Sequence, residues 1–196
     1  MTVLEDRIAM AQSDDTSWLD EMFERLEKLP VPEGYKVEIV EGTVYMSPQR
    51  SVHWKTIKAI MWAIEDTFGR DAEVLSDVRI DFPGRKNGLA PDVAKLRDGA
   101  EMDAEGHWRN EDVEFIAEVI SKDTAKNDYG PKKAAYALAE VPVYLIVDPY
   151  TAKCHLFTQP KDGDYMSDAS ITYGADVDMT NTLLGLTLKT DRFPRD

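Results

Sequence analysis

One cysteine, Cys154, serves the whole 196-residue chain. A lone thiol cannot form an intramolecular disulfide, and it cannot supply a cysteine-based zinc cage. Its neighbour His155 suggests a Cys/His nucleophile pair, but Ala152 to Phe157 reads as a strand, where adjacent side chains point to opposite faces and cannot cooperate. Long apolar runs are also missing, since none approaches the roughly 18 residues that cross a bilayer, so no membrane partner is expected. Met1 to Arg7 has neither a basic n-region nor an apolar h-region, which excludes a signal peptide there and points to a cytoplasmic protein. There is no internal repeat and no low-complexity tract.

Positive charge is scarce as well: 23 basic residues face 37 acidic ones, for a net charge of −14. Phosphate contacts need a basic surface, so this balance argues against a general-purpose nucleic-acid binder. No helix-turn-helix, zinc finger or stacked aromatic platform is visible. A nuclease is not excluded, because carboxylates gathered round a metal raise the acidic count and the basic residues can concentrate on one face.

The hydrophobic fraction of 43% with 31% charged residues is that of a globular protein. A chain of this length buries roughly two-thirds of its unfolded surface in a single core. Residues 1–15, charged and without a clear period, are expected to be mobile, and residues 16–196 to form one domain. Trp18, Leu19, Met22, Phe23, Leu26 and Leu29 recur at helical spacing, with Thr16 or Ser17 as the cap and Pro30 as the stop. Tyr35 to Ile39 and Thr43 to Met46 predict a hairpin turned by Glu41-Gly42. Val52, Ile57, Ile60, Met61, Ala63, Ile64 and Phe68 predict a helix from Ser51 to Phe68.

Short strands are expected at Glu73 to Leu75, Val78 to Phe82 and Asp92 to Leu96, followed by a surface excursion from Arg97 to Asp112. Phe115 to Ser121 and Val143 to Val147 are apolar enough to be internal strands. Between them a helix is predicted from about Asp128 to Ala139, with Asp128 as its N-cap and Pro131 in its first turn. Two or three more strands fill Ala152 to Leu188. The order describes a mixed α/β domain.

Glu118 lies inside the Phe115 to Ser121 strand, and Pro91-Asp92 lies one loop upstream. A buried carboxylate without a partner costs several kcal/mol, so Glu118 needs a cation or a donor beside it. Two acids on neighbouring strands suggest a metal site. A Glu-x-Lys ending would put an ammonium on the same strand face, but Ile120 fills that place. Lys132 is the replacement on periodicity grounds, four residues after Asp128 and four before Tyr136 on one helix face. Lys122 would lie about 13 Å along the strand, too far for direct service. The plainer alternatives are a salt bridge of Glu118 to Lys132 or Lys133 without metal, a solvated Lys132, and a Tyr136 that lines the core. The Arg85-Lys86-Asn87-Gly88 loop offers either a phosphate contact or a solvated turn.

Taken together, Glu38-Ile39-Val40-Glu41-Gly42, Met46-Ser47-Pro48, His53, Pro91-Asp92, Glu118-Val119-Ile120-Ser121, Thr124, Asp128, Lys132, Tyr136, Val141-Pro142, Tyr144 and Val147-Asp148-Pro149 resemble the Uma2 family. That family is a branch of the PD-(D/E)xK nuclease superfamily, and the match spans roughly residues 35 to 150. The resemblance implies a restriction-endonuclease-like core, a mixed sheet flanked by helices, with the N-terminal helix and hairpin added to it. It implies hydrolysis of DNA phosphodiester bonds, with Asp92 and Glu118 binding Mg²⁺, or Mn²⁺ in its place, and Lys132 as the catalytic cation. Glu38 and His53 are additional candidates, for a metal contact or for holding a water. Lys122, Glu140 and Leu145 depart from the usual pattern, but none removes a carboxylate.

DNA is the expected substrate, and a homodimer would give so small and acidic a protein more surface to grip a duplex. Two other readings stay open: an inactive relative serving as an interaction or nucleic-acid-binding module, which Ile120 and the acidic balance favour, and a hydrolase of small phosphoesters.

Overall fold

The computed structural model describes residues 3–30, 34–48 and 50–196, with backbone alone for residues 3–14. Helix α1 (Val3–Glu27) starts well before the expected cap at Thr16 or Ser17. Leu, Glu, Arg, Ala, Met and Gln between residues 4 and 12 are strong helix formers, which favours the longer helix. Leu19 and Leu26, with Trp18, Met22 and Phe23, pack on Ile39, Val37 and Val44. Leu29 does not join them. It lies past the helix end and is 54% exposed.

Strands β1 (Tyr35–Val40) and β2 (Thr43–Pro48) form the expected hairpin, closing with Val40 opposite Thr43. Glu41 and Gly42 both take positive φ, 49° and 77°, as a two-residue hairpin turn requires. Helix α2 runs from Ser51 to Phe68, as its periodicity predicts. The next strands are β3 (Val74–Leu75), β4 (Ile80–Phe82), β5 (Asn87–Leu89) and β6 (Val93–Leu96). The segment containing β5 reads in sequence as a basic loop, yet it pairs with β4 and, through Ile39 and Gly88, with β1. A side chain at Gly88 would meet the Phe23 ring at 2.6 Å, so α1 can pack there only over glycine. In that segment Asn87 is buried and Lys86 stands 4.1 Å over the Trp18 ring, while Arg85 is exposed.

The central strands are β7 (Val113–Val119) and β8 (Val143–Asp148), which run parallel. β9 (Lys153–Lys161) and β10 (Asp164–Thr172) extend the sheet, and β11 (Val177–Asp178) pairs with β12 (Thr187–Leu188) beside it. Two main sheets result, one ordered β2-β1-β5-β4 and one ordered β10-β9-β8-β7-β6-β3.

The crossover from β7 to β8 is helical from Ala125 to Leu138: α3 (Ala125–Asn127), a π-helical turn (Asp128–Lys132) and α4 (Lys133–Leu138). Pro131 lies inside the π turn, a wider winding that accommodates its missing N–H. Asp128 is therefore interior to the helical run and does not cap it. Glu140, where the chain leaves this segment, has φ of 56°, the left-handed conformation that glycine would adopt without strain.

Strand alternation sorts the core. Phe115, Ala117 and Val119 face Ile57, Ile60 and Ile64 of α2, while Ile116 and Ile120 face Tyr136, Tyr144 and Val40 on the other side. Glu118 has the parity of Ile116, so it points to the side covered by the β1 sheet and the crossover helix. Cys154 belongs to the α2 side, and burial pushes its thiol up to about 12; His155, across the strand, sets its ring edge-on to Tyr129.

Candidate active site

Four pieces of chain meet at one cleft. β1 supplies Lys36 and Glu38, two residues apart and so on one face. The turn before β6 supplies Asp92, β7 supplies Glu118, and the π turn supplies Asp128 and Lys132. Asp92 and Glu118 are locked across the strands: the Val119 N–H donates to Asp92 Oδ2 at 2.7 Å, and the Asp92 N–H donates to Glu118 Oε2 at 3.4 Å. Lys132 Nζ lies 2.6 Å from Glu118 Oε1, 3.0 Å from Glu38 Oε1 and 3.0 Å from Asp128 Oδ1. The Tyr136 hydroxyl donates to Glu118 Oε1 at 2.7 Å, and the Tyr144 hydroxyl donates to the Asp128 carbonyl at 2.9 Å. Glu38 Oε1 also accepts the Ala90 N–H at 2.9 Å.

A second ammonium enters from the opposite wall. Lys36 Nζ is 2.7 Å from Asp92 Oδ1, 3.6 Å from Glu118 Oε2, 3.8 Å from Glu38 Oε2 and 3.9 Å from Asp77 Oδ1. Around these groups opens a cleft whose walls include Arg50, His53, Trp54, Ser121 and Thr124.

Five carboxylates thus face two ammoniums, and protonation adjusts to the imbalance. Burial pushes the Glu118 carboxyl up to about 8 against the pull of Lys132 and Lys36. Burial likewise raises Asp77, to about 6, and raises Asp128. Glu38 goes the other way: burial alone would raise it, but Lys132, Lys36 and the Ala90 N–H hold it below the usual carboxylate range. Burial works against the charge on both lysines, yet the surrounding acids raise Lys36 and Lys132 above the ordinary lysine value. His53 is lowered, chiefly by burial, and is neutral at physiological pH; its Nε2 is buried without a hydrogen-bond partner among the described residues.

The five residues singled out in sequence, Glu38, His53, Asp92, Glu118 and Lys132, all line this cleft. Lys122 does not: it is absent from the walls, and its backbone N–H donates to the Tyr150 hydroxyl. Glu38, undecided in sequence between site and solvent, is 6% exposed and faces the site. Lys36 was missed, although its alternation with Glu38 on a predicted strand carried the signal. Asp77 gave no signal.

Two carboxylates that converge on one ammonium are hard oxygen donors held around a single cation position. That donor set, with an excess of negative charge, suits a divalent ion such as Mg²⁺, which takes one or two carboxylates and completes its shell with water. Among the described residues no group of three or more His, Cys, Asp or Glu side chains is arranged to hold a metal, so the fit is to an open two-carboxylate site rather than a closed cage. No helix among the described residues is long and apolar enough to cross a membrane.

The fold matches that of a putative nuclease belonging to DUF820 from Anabaena variabilis, with a TM-score of 0.68 over 89% of this chain and 96% of that one. Sequence identity is 16%, so the likeness is one of fold. No curated protein matches the sequence. The Uma2 family, described as "putative restriction endonuclease", matches residues 20–191, which include every strand and each of the residues lining the cleft, and the chain therefore belongs to the Uma2 family.

Proposed function

We propose that residues 16–196 form a cytoplasmic, metal-dependent endonuclease domain that hydrolyses DNA phosphodiester bonds, with Asp92 and Glu118 holding Mg²⁺ or, in its place, Mn²⁺. The observation that carries this reading is the convergence of both carboxylates on the Lys36 ammonium, at 2.7 and 3.6 Å. A cation in that place supplies positive charge to a phosphoryl oxygen and lowers the pKa of a water.

The chain's own groups do the rest. Tyr136 and Lys132 orient Glu118 through its Oε1, while cross-strand N–H groups orient Asp92, so the two carboxylates are preorganised by contacts that need not change during a reaction. Lys132 also sets a fixed positive charge at the floor of the cleft, where it offsets charge building on the phosphoryl group. Lys36, less buried, is the first ammonium that an entering phosphate meets. His53 offers a neutral, unpartnered Nε2 that can accept a hydrogen bond from a water in the same cleft.

One observation favours a second reading. Lys36 already sets a positive charge against both carboxylates, as it would in an inactive relative that uses the fold for binding. Incubation with supercoiled plasmid, single-stranded DNA and small phosphoesters, with and without Mg²⁺ or Mn²⁺, separates the readings. Nicking that needs metal and falls at least a hundredfold in Asp92→Asn and Glu118→Gln supports the endonuclease. Stabilisation by metal without cleavage supports the inactive relative, and turnover of small phosphoesters alone supports a different hydrolase. Light scattering on the same samples tests for a homodimer.

A further inference from the structure

The outer side of α2 carries a pattern that the buried cluster does not use. Arg50, Trp54, Lys58 and Trp62 follow one another at intervals of four residues, so they form one stripe winding slowly round the helix. Trp54 is 50% exposed and Trp62 54% exposed. Leaving two of the chain's four tryptophans half in water forgoes burial that folding would otherwise gain, and clustered exposed aromatics mark contact surfaces. Lys58 Nζ stands 4.6 Å from the Trp62 ring centroid, so a cation and an aromatic face are presented together.

Charge points the same way. From Arg50 to Ile64 the chain holds Arg50, Lys55 and Lys58 and no acid, in a protein of net charge −14, and Glu65 and Asp66 then bound the stretch at its far end from the cleft. Arg50 has an ion pair with Asp196 at 3.3 Å, but both side chains are substantially exposed, so an incoming phosphate can compete for the guanidinium. Arg50 and Trp54 also line the cleft that holds Asp92 and Glu118. The stripe is continuous with the candidate site, and Trp62 lies about 12 Å further along the helix than Trp54.

We propose that this face of α2 seats an unpaired DNA strand, with bases stacked on Trp54 and Trp62 and backbone phosphates on Arg50 and Lys58. Stacking needs the open face of a base, which a duplex hides within its own stack, so alternating aromatic and cationic side chains suit a single strand. The direction of the strand, toward the cleft, rests on reading that cleft as a phosphodiesterase site; the binding itself does not.

The test uses the full chain in EDTA, so that no cleavage intervenes, titrated against a fluorescein-labelled oligo(dT) of about 12 nucleotides and a duplex of equal length. Anisotropy is expected to show the single strand bound at least tenfold tighter than the duplex. Trp54→Ala and Trp62→Ala should each weaken it about tenfold. Lys58→Ala should lower the salt dependence by about one phosphate contact. Trp18→Phe, on α1 beneath Lys86, should leave affinity unchanged, and circular dichroism should show all variants folded. No single-strand binding by the wild type, equal affinity for duplex, or unchanged affinity in the Trp54→Ala/Trp62→Ala double variant would overturn the proposal. Stripe-dependent binding without any nicking would leave α2 as a DNA seat and remove the hydrolytic reading. Metal-dependent nicking with unaltered binding in the double variant would do the reverse.

Discussion

Lys36 and Lys132 reach the same carboxylates from opposite walls, and their surroundings differ. Lys132 is 2% exposed, grows from a helical segment, and has Glu118, Glu38 and Asp128 all within 3.0 Å. Lys36 is 10% exposed, grows from β1 beside the opening, and has one close partner, Asp92, with three others beyond 3.5 Å. The same carboxylates therefore hold two different kinds of cation. Lys132 is part of the framework that holds Glu118, whereas Lys36 is a tethered cation whose four-carbon stem can withdraw and leave the acids to another ion.

The sharpest way to break that contrast is to remove the framework ammonium. Lys132→Met leaves Glu118, Glu38 and Asp128 buried without their shared cation, and losing one partner of a buried ion cluster costs about 3–5 kcal/mol. Urea unfolding should show a loss of that size, with part of it recovered in Lys132→Met/Glu38→Gln, where one uncompensated carboxylate is gone. A loss below about 1 kcal/mol would mean that Lys132 is no more built in than Lys36.

The surplus of acids gives the cluster a pH signature. The Glu118 carboxyl, faced by Lys132, Lys36, Asp92, Asp128 and the Tyr136 hydroxyl, keeps its proton to about 8, against an ordinary value of 4.5. Between those values the folded chain binds a proton that the unfolded chain has released, so this group's contribution to stability is full below 4.5 and is lost as pH rises through 8. One proton sets a slope of at most about 1.4 kcal/mol per pH unit. In EDTA, wild-type Tm measured relative to Glu118→Gln should fall from pH 5 to pH 8; Asp77, raised to about 6, titrates in both proteins and cancels. A constant difference across that range would show that Glu118 is already ionised, and that the two lysines satisfy the cluster unaided.

Lys36 is tested by metal. If its ammonium stands where a divalent ion binds, Lys36→Gln removes a competitor, and calorimetric titration with Mn²⁺ should show affinity rising about tenfold, equivalent to about 1.4 kcal/mol. Unchanged or weaker binding would place the ion elsewhere and return Lys36 to the status of a structural partner of Asp92.

What the sequence disclosed follows the same division. Asp92, Glu118 and Lys132 were legible because an acid in an apolar strand demands a partner and a four-residue helical spacing offers one. Lys36 had an equally regular spacing, two residues from Glu38, but lysines on hairpins are mostly solvated, and the strand's inward face could not be told before the second sheet was known. That sheet depends on Ile39 meeting Gly88 across 49 residues, which no local pattern specifies. Asp128 was read as an N-cap because Pro131 belongs in a first helical turn; the π winding that admits proline inside the helix and turns Asp128 onto Lys132 is a tertiary outcome. The buried stripe of α2 is plain from its period, and Trp54 and Trp62 fall outside that period, on the exposed side of the helix.

The smallest expected effect concerns a lysine that sequence distance alone could have promoted. Lys122 is as far from Glu118 in number as Asp128 is from Lys132, but the intervening backbone differs. β7 ends at Val119, and the chain then turns toward α3, with the Lys122 N–H on the Tyr150 hydroxyl and its side chain exposed. An exposed cation outside the cleft is screened by solvent and holds nothing in place, so Lys122→Ala should change stability by less than about 0.5 kcal/mol and leave Mn²⁺ affinity where it was. Calorimetry that instead found weaker Mn²⁺ binding would mean that the segment after β7 folds back over the cleft, and the two-lysine description would have to admit a third.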